Sequence, residues 1–281
     1  MDKYDKLTRY FNDFKGEKEI IGKSEDGRNI YAFFVGEKKK PTVLLQYSIH
    51  AREHITTSLA LRQIDNCKNK NIQGVGIYFL PLVNPDGVVI AQGGIDKITE
   101  GKKKLLNRVN KGKKDFSLIK CNANCVDLNQ NFNARFGTGK KNVFYPATEN
   151  YVGKHPFSES ESRALRDITY KVKPVVTVSY HSKGEVIYFD FYQDKIRYER
   201  DKKLCEKLSK STGYKIEKSG LSAGGYKDWC ISLLKIPAFT IEVGNDKLSH
   251  PIKENELSRI YKQNSGVIDV LIDYAKGQNI K

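Results

Sequence analysis

Residues 42–49, 75–82, 174–180 and 238–243 form four apolar runs, each bounded by polar or turn-forming segments. Runs this short and continuous are strands buried on both faces, the mark of a largely parallel sheet between two helical layers rather than a sheet with one wet side. Apolar residues at helical spacing fill intervals at 55–68, 159–170 and 196–212, and a closing helix is expected over 254–274. A short amphipathic helix over 3–14 precedes a hairpin in which 19–22 and 30–35 flank Ser24-Glu25-Asp26-Gly27-Arg28. A further strand is expected at 186–191. No repeat, low-complexity tract or Pro/Ser-rich linker divides the 281 residues. The chain is therefore expected to be a single α/β domain over 1–281, with a mixed, mostly parallel twisted sheet and helices on both faces.

Composition matters chiefly for what it excludes. Lys and Arg number 49 against 33 Asp and Glu, a formal charge of +16 that raises the question of an anionic partner. Of the 49, 38 are Lys and 11 Arg, and no zinc-finger spacing, aromatic RNA-binding motif or basic heptad accompanies them. A nucleic-acid partner is not expected. No apolar stretch approaches the ~18 residues of a membrane helix, so no membrane insertion is expected. The opening residues Met1-Asp2-Lys3-Tyr4-Asp5-Lys6 lead into polar and aromatic sequence with no apolar core of a secretory signal. The five cysteines, an odd number, fit free thiols in a reducing compartment, and Cys121 and Cys125 are not read as a metal site. A cytoplasmic location is expected, compatible with association with spores or the cell wall.

In an α/β sheet, chemistry gathers just past the C-terminal ends of strands. Three segments there carry it: His50-Ala51-Arg52-Glu53-His54 after 42–49, Tyr180-His181-Ser182 after 174–180, and Glu242 inside the apolar run 238–243. A carboxylate in such a strand is costly unless paired or functional. Together they suggest a zinc site with two histidines and one carboxylate as ligands, an open fourth position, and a second carboxylate as base. The pentad also matches H-x-x-E-H, in which both histidines bind the metal and Glu53 is the base. That arrangement needs the five residues on one helix, whereas His50 ends a strand. His50 and Glu53 are therefore read as ligands, and His54 as the start of a helix.

These residues resemble the carboxypeptidase A-like zinc metallopeptidases, in order along nearly the whole chain. His50-Ala51-Arg52-Glu53 looks like the paired ligand motif, Asn84-Pro85-Asp86-Gly87 like a characteristic loop, Asp127-Leu128-Asn129 like the D-x-N segment and His181-Ser182 like the third ligand. The resemblance implies one zinc per chain held by His50, Glu53 and His181, with Glu242 as general base. It also implies Arg108 as the cation facing the oxyanion, Asp127 as the carboxylate orienting His50, and Arg52, Asn129 and Ser182 as substrate contacts. Two departures stand out. Carboxypeptidases place a carboxylate-gripping arginine where this chain has Gln130, and a mobile tyrosine where alignment on Gly224-Gly225-Tyr226-Lys227-Asp228-Trp229 gives Gly220. Lys227 falls at the position that sets side-chain preference, and a cation there favours a substrate side chain bearing a carboxylate. Segments around residues 51–57, 150–159 and 180–185 resemble the bacterial branch that cleaves γ-D-glutamyl–diaminopimelate bonds.

The expected function is zinc-dependent hydrolysis of an amide in cell-wall-derived stem peptides, with Gln130 and Lys227 in the substrate site. Two alternatives are a metallocarboxypeptidase or deacylase acting on ordinary peptides or amino-acid conjugates, and a non-enzymatic binder of anionic polymer.

Overall fold

The computed structural model describes residues 1–278; residues 279–281, the end of the expected domain, lie outside the described residues. Eight strands make one sheet: β1 (Glu17–Lys23), β2 (Asn29–Gly36), β3 (Thr42–Tyr47), β4 (Gly76–Leu80), β5 (Val176–His181), β6 (Val186–Tyr188), β7 (Lys215–Glu217) and β8 (Ala238–Glu242), in the order β1-β2-β4-β3-β5-β8-β6-β7. The central strands β4, β3, β5 and β8 run parallel, whereas β1–β2, β2–β4 and β6–β8 pair antiparallel. The four apolar runs supply these central strands, which are the ones both helical layers cover.

The helices are α1 (Lys3–Asp13), α2 (Ile55–Lys68), α3 (Pro85–Ala91), α4 (Glu100–Val109), α5 (Ser160–Val172), α6 (Lys195–Thr212), α7 (Tyr226–Trp229), α8 (Leu257–Asn264) and α9 (Val267–Lys276). Alternation along β3 sorts the two layers. Val43, Leu45 and Tyr47 face a core built with Leu59 of α2, Leu204 and Leu208 of α6, Ile260 of α8 and Leu271 of α9. Leu44 faces the other core, with Leu165 and Ile168 of α5 and Tyr226 and Trp229 of α7. α6 starts where Asp194 Oδ1 accepts a hydrogen bond from Arg197 N at 2.9 Å and stops at Gly213, whose φ of 75° an L side chain adopts only under strain.

Three local expectations are corrected. The closing helix over 254–274 is broken into a 3₁₀ turn, α8 and α9, the last break falling at Ser265-Gly266, where glycine is a poor helix former. Asn84-Pro85-Asp86-Gly87 opens helix α3 rather than a loop: Pro85 takes the first turn and Asn84 Oδ1 accepts from Gly87 N at 2.9 Å. The strand expected over 186–191 is shorter, ending at Tyr188.

Candidate active site

β3 ends at Tyr47, and the chain turns through Ser48 and Ile49 into a 3₁₀ turn, Ala51–Glu53, that brings His50 and Glu53 to the same side. β5 runs beside β3 and ends in His181, whose Cα pairs with that of Glu242 at the end of β8. Adjacent parallel strands ending at one edge thus bring three distant sequence segments together.

His50 Nδ1 lies 2.9 Å from Glu53 Oε1, His181 Nδ1 lies 3.0 Å from Glu53 Oε2, and the two Nδ1 atoms are 3.2 Å apart. All three residues are buried. Two imidazole nitrogens and a carboxylate converging on one point are a nitrogen/oxygen donor set suited to zinc. The far side of His50 is held too, whereas His181 Nε2 is buried without a partner among the described residues. His50 Nε2 is 3.2 Å from Asp127 Oδ1 at ion-pair geometry, while Asp127 accepts from Asn129 N (3.2 Å) and Asn150 N (3.0 Å). Ser182 N donates to Glu53 Oε2 at 3.3 Å, and Ser182 Oγ is buried without a partner. His54 stands apart as the residue preceding α2.

The electrostatics follow from burial and from charges facing one another. Burial alone would push the His50 pKa down, but Glu53 and Asp127 outweigh it and raise the imidazole to about 9. Asp127 is held down to about 2: burial opposes ionisation and His50 and Lys120 favour it. Burial and the neighbouring Glu53 push Glu242 up to about 8, against the pull of His50, Lys120 and Arg52.

Glu242 opens onto a cavity of about 630 Å³ that Asn129, Gln130 and Lys227 also line. Asn129 Oδ1 accepts from Tyr226 N (3.1 Å), and Gln130 Oε1 accepts from Asn142 Nδ2 (3.0 Å). Lys227 Nζ donates to Asp190 O (2.8 Å), Ser219 Oγ (3.1 Å) and Asp228 Oδ1 (2.7 Å), so its three donors are engaged by the protein itself. Arg52 donates to Leu118 O at 3.2 Å and lies 3.6 Å from Glu149 Oε2. Tyr226 points away from the cavity, fully buried, with its hydroxyl 2.9 Å from Thr169 Oγ1.

The structure does not bring Arg108 to this site. It is exposed near the end of α4, a helix whose one buried residue is Leu106, and lines no part of the cavity. Lys120 is the cation found there instead: it lines the cavity and acts on Glu242, Asp127 and His181. Sequence reasoning missed it in a lysine-rich stretch. The available signal was its placement between Ile119 and Cys121, both buried.

The fold and this donor set define an α/β protein with a candidate zinc site at the C-terminal edge of its parallel strands. A profile of the zinc carboxypeptidase family matches residues 15–265, and the chain belongs to that family. The γ-D-glutamyl-L-diamino acid endopeptidase 1 of Lysinibacillus sphaericus is 29% identical over 262 residues, covering 88% of this chain; the chain spans 65% of that relative's length. Among solved structures, carboxypeptidase A from Helicoverpa armigera superposes with a TM-score of 0.75 at 19% identity over 97% of this chain and 71% of that one. The murein-tripeptide amidase from Escherichia coli O157 superposes with a TM-score of 0.60 at 20% identity over 97% and 98%. The cofactor is the family's single zinc, and His50, Glu53 and His181 form a group whose donor atoms lie close enough together to hold such an ion.

Proposed function

We propose that this chain hydrolyses the amide between γ-D-glutamate and meso-diaminopimelate in peptidoglycan stem peptides. The observation that carries this reading is the cavity beside Glu242, which is lined by lysines and by Gln130, a residue that offers no charged fork for a C-terminal carboxylate. The name of the Lysinibacillus relative supports it. Bound zinc supplies Lewis-acid polarisation and makes water a better nucleophile at neutral pH. In this reading Glu242 takes the proton of the attacking water and returns it to the leaving amine. Lys120, in the role the resemblance gave to Arg108, offsets negative charge developing on the scissile carbonyl oxygen. Asp127 keeps His50 oriented.

The test is turnover of L-Ala-γ-D-Glu-diaminopimelate by zinc-loaded protein, set against an ordinary L-peptide with a free C-terminus. Preferential release of diaminopimelate is expected, and Glu242→Gln should retain zinc while losing about 10²–10⁴-fold in kcat. Preferential cleavage of the L-peptide would replace this reading with a conventional carboxypeptidase.

A further inference from the structure

The engaged state of Lys227 leaves open which groups meet an anionic substrate. Besides Lys120, three further lysines line the same cavity, Lys140, Lys141 and Lys218, and none of these three makes an ion pair among the described residues. Their surroundings are built rather than loose. Lys140 and Lys141 ride on a segment tied at both ends: Lys140 N donates to Leu221 O (3.1 Å), Asn142 N to Gly139 O (3.0 Å), and Asn142 Nδ2 to Gln130 Oε1 (3.0 Å). Gly139 packs against Asn142, whose Oδ1 a Cβ there would displace. Lys218 approaches from the other wall, next to Ser219, whose backbone and hydroxyl both bond Asp190. Gln130 thus does the work of a tether: it carries no charge to the substrate but fixes the segment that does.

On the negative side the cavity has Glu242 and Asp228, and Asp228 is already paired with Lys227 at 2.7 Å. Lysines gathered on one cavity without matching carboxylates repel each other, and a ligand with carboxylates relieves that repulsion. We propose that Lys140, Lys141 and Lys218 form a cationic rim that selects substrates bearing more than one carboxylate on the leaving side of the scissile bond. This rests on the functional reading above and deepens it: a diaminopimelate leaving group offers a C-terminal and a distal carboxylate, and lysine in its place offers one. Lys227 then serves as a positioning residue that holds the Asp190–Ser219 wall.

The experiment compares the wild-type zinc enzyme with the Lys140→Ala/Lys141→Ala/Lys218→Ala triple variant on stem tripeptides whose leaving residue is diaminopimelate as free acid, its diamide, or lysine. Exposed cations are each worth a factor of a few, so kcat/KM on the free acid is expected to fall about tenfold, through KM, and less in high salt. The diamide should be nearly unaffected, and the lysine peptide should lose less than the free acid. Circular dichroism and zinc content should match wild type, because all three side chains are exposed. An equal loss on all three peptides, or none on the free acid, would overturn the assignment. A wild-type enzyme that cleaves ordinary L-peptides and leaves the γ-D-glutamyl bond intact overturns the functional reading instead; the rim is then judged by the same acid-to-amide ratio in the L-peptide series.

Discussion

Glu161 at the start of α5 is fully buried, and its carboxylate lies with those of Glu25 and Glu159, ligating oxygens within 4.8 Å of one another. Asn122 Nδ2 donates to Glu159 (2.9 Å) and Glu161 (3.2 Å), and Glu161 also accepts from Glu25 N (3.3 Å) and Ser160 Oγ (3.4 Å), but no cation pairs with Glu161 among the described residues. Burial first, then the nearby Asp86, Glu159 and Glu25 carboxylates, push the Glu161 carboxyl up to about 8 from an ordinary 4.5. The folded state therefore holds a proton between pH 4.5 and 8 that the unfolded chain has released. Stability from this group is fully present at the acid end and falls as pH rises, by up to about 1.4 kcal/mol per unit, levelling off above pH 8. Glu161→Gln, neutral at every pH, should remove that slope. Urea unfolding at pH 5, 6.5 and 8.5 measures it: the variant should overtake wild type as pH rises, and parallel profiles would rule out a proton on Glu161.

At the scale of elements, the turn between β3 and the 3₁₀ segment depends on a buried clasp. Asn84 Nδ2 donates to Ile49 O (3.1 Å), one residue before His50, and to Cys121 O (3.2 Å), one residue after Lys120, while its Oδ1 caps α3. Asn84→Ala strips partners from buried backbone groups and should cost roughly 2–4 kcal/mol in urea unfolding. Because the same clasp aims His50, zinc affinity against a competing chelator should also drop, by about tenfold. Unchanged affinity would mean that the turn holds its shape without Asn84. The ligands His50 and His181 were legible in the sequence because each ends an apolar run, and Glu242 because it interrupts one. Lys120 was not, because its placement depends on a backbone bond from Lys120 N to Thr148 O, a contact no local pattern announces. Arg108 follows from the family resemblance alone, and it lies near the exposed end of α4, outside the cavity lining. Helix α3 hid behind Asn-Pro-Asp-Gly, which reads equally as a turn, and α4 is polar nearly all round.

For the molecule as a whole, the candidate zinc donors come from the end of β5 and from the turn that follows its neighbour β3 at the centre of the sheet. An ion held by all three ties the two halves of the sheet at the edge where no backbone pairing continues. The unfolded chain cannot present His50, Glu53 and His181 together, so zinc bound only to the folded state adds RT ln(1 + [Zn]/Kd), about 4 kcal/mol at a thousandfold excess over Kd. Calorimetry should therefore show Tm rising by several degrees between chelator-treated and zinc-loaded protein, and rising further with free zinc. In His181→Ala one donor is gone while the sheet register stays, so the metal-free Tm should move far less than the zinc-dependent increment, which should nearly vanish. Glu242→Gln, outside the donor group, should keep the full increment. A zinc-dependent rise that survived in His181→Ala would place the metal elsewhere in the molecule and remove the basis for treating the edge formed by β3, β5 and β8 as the active site.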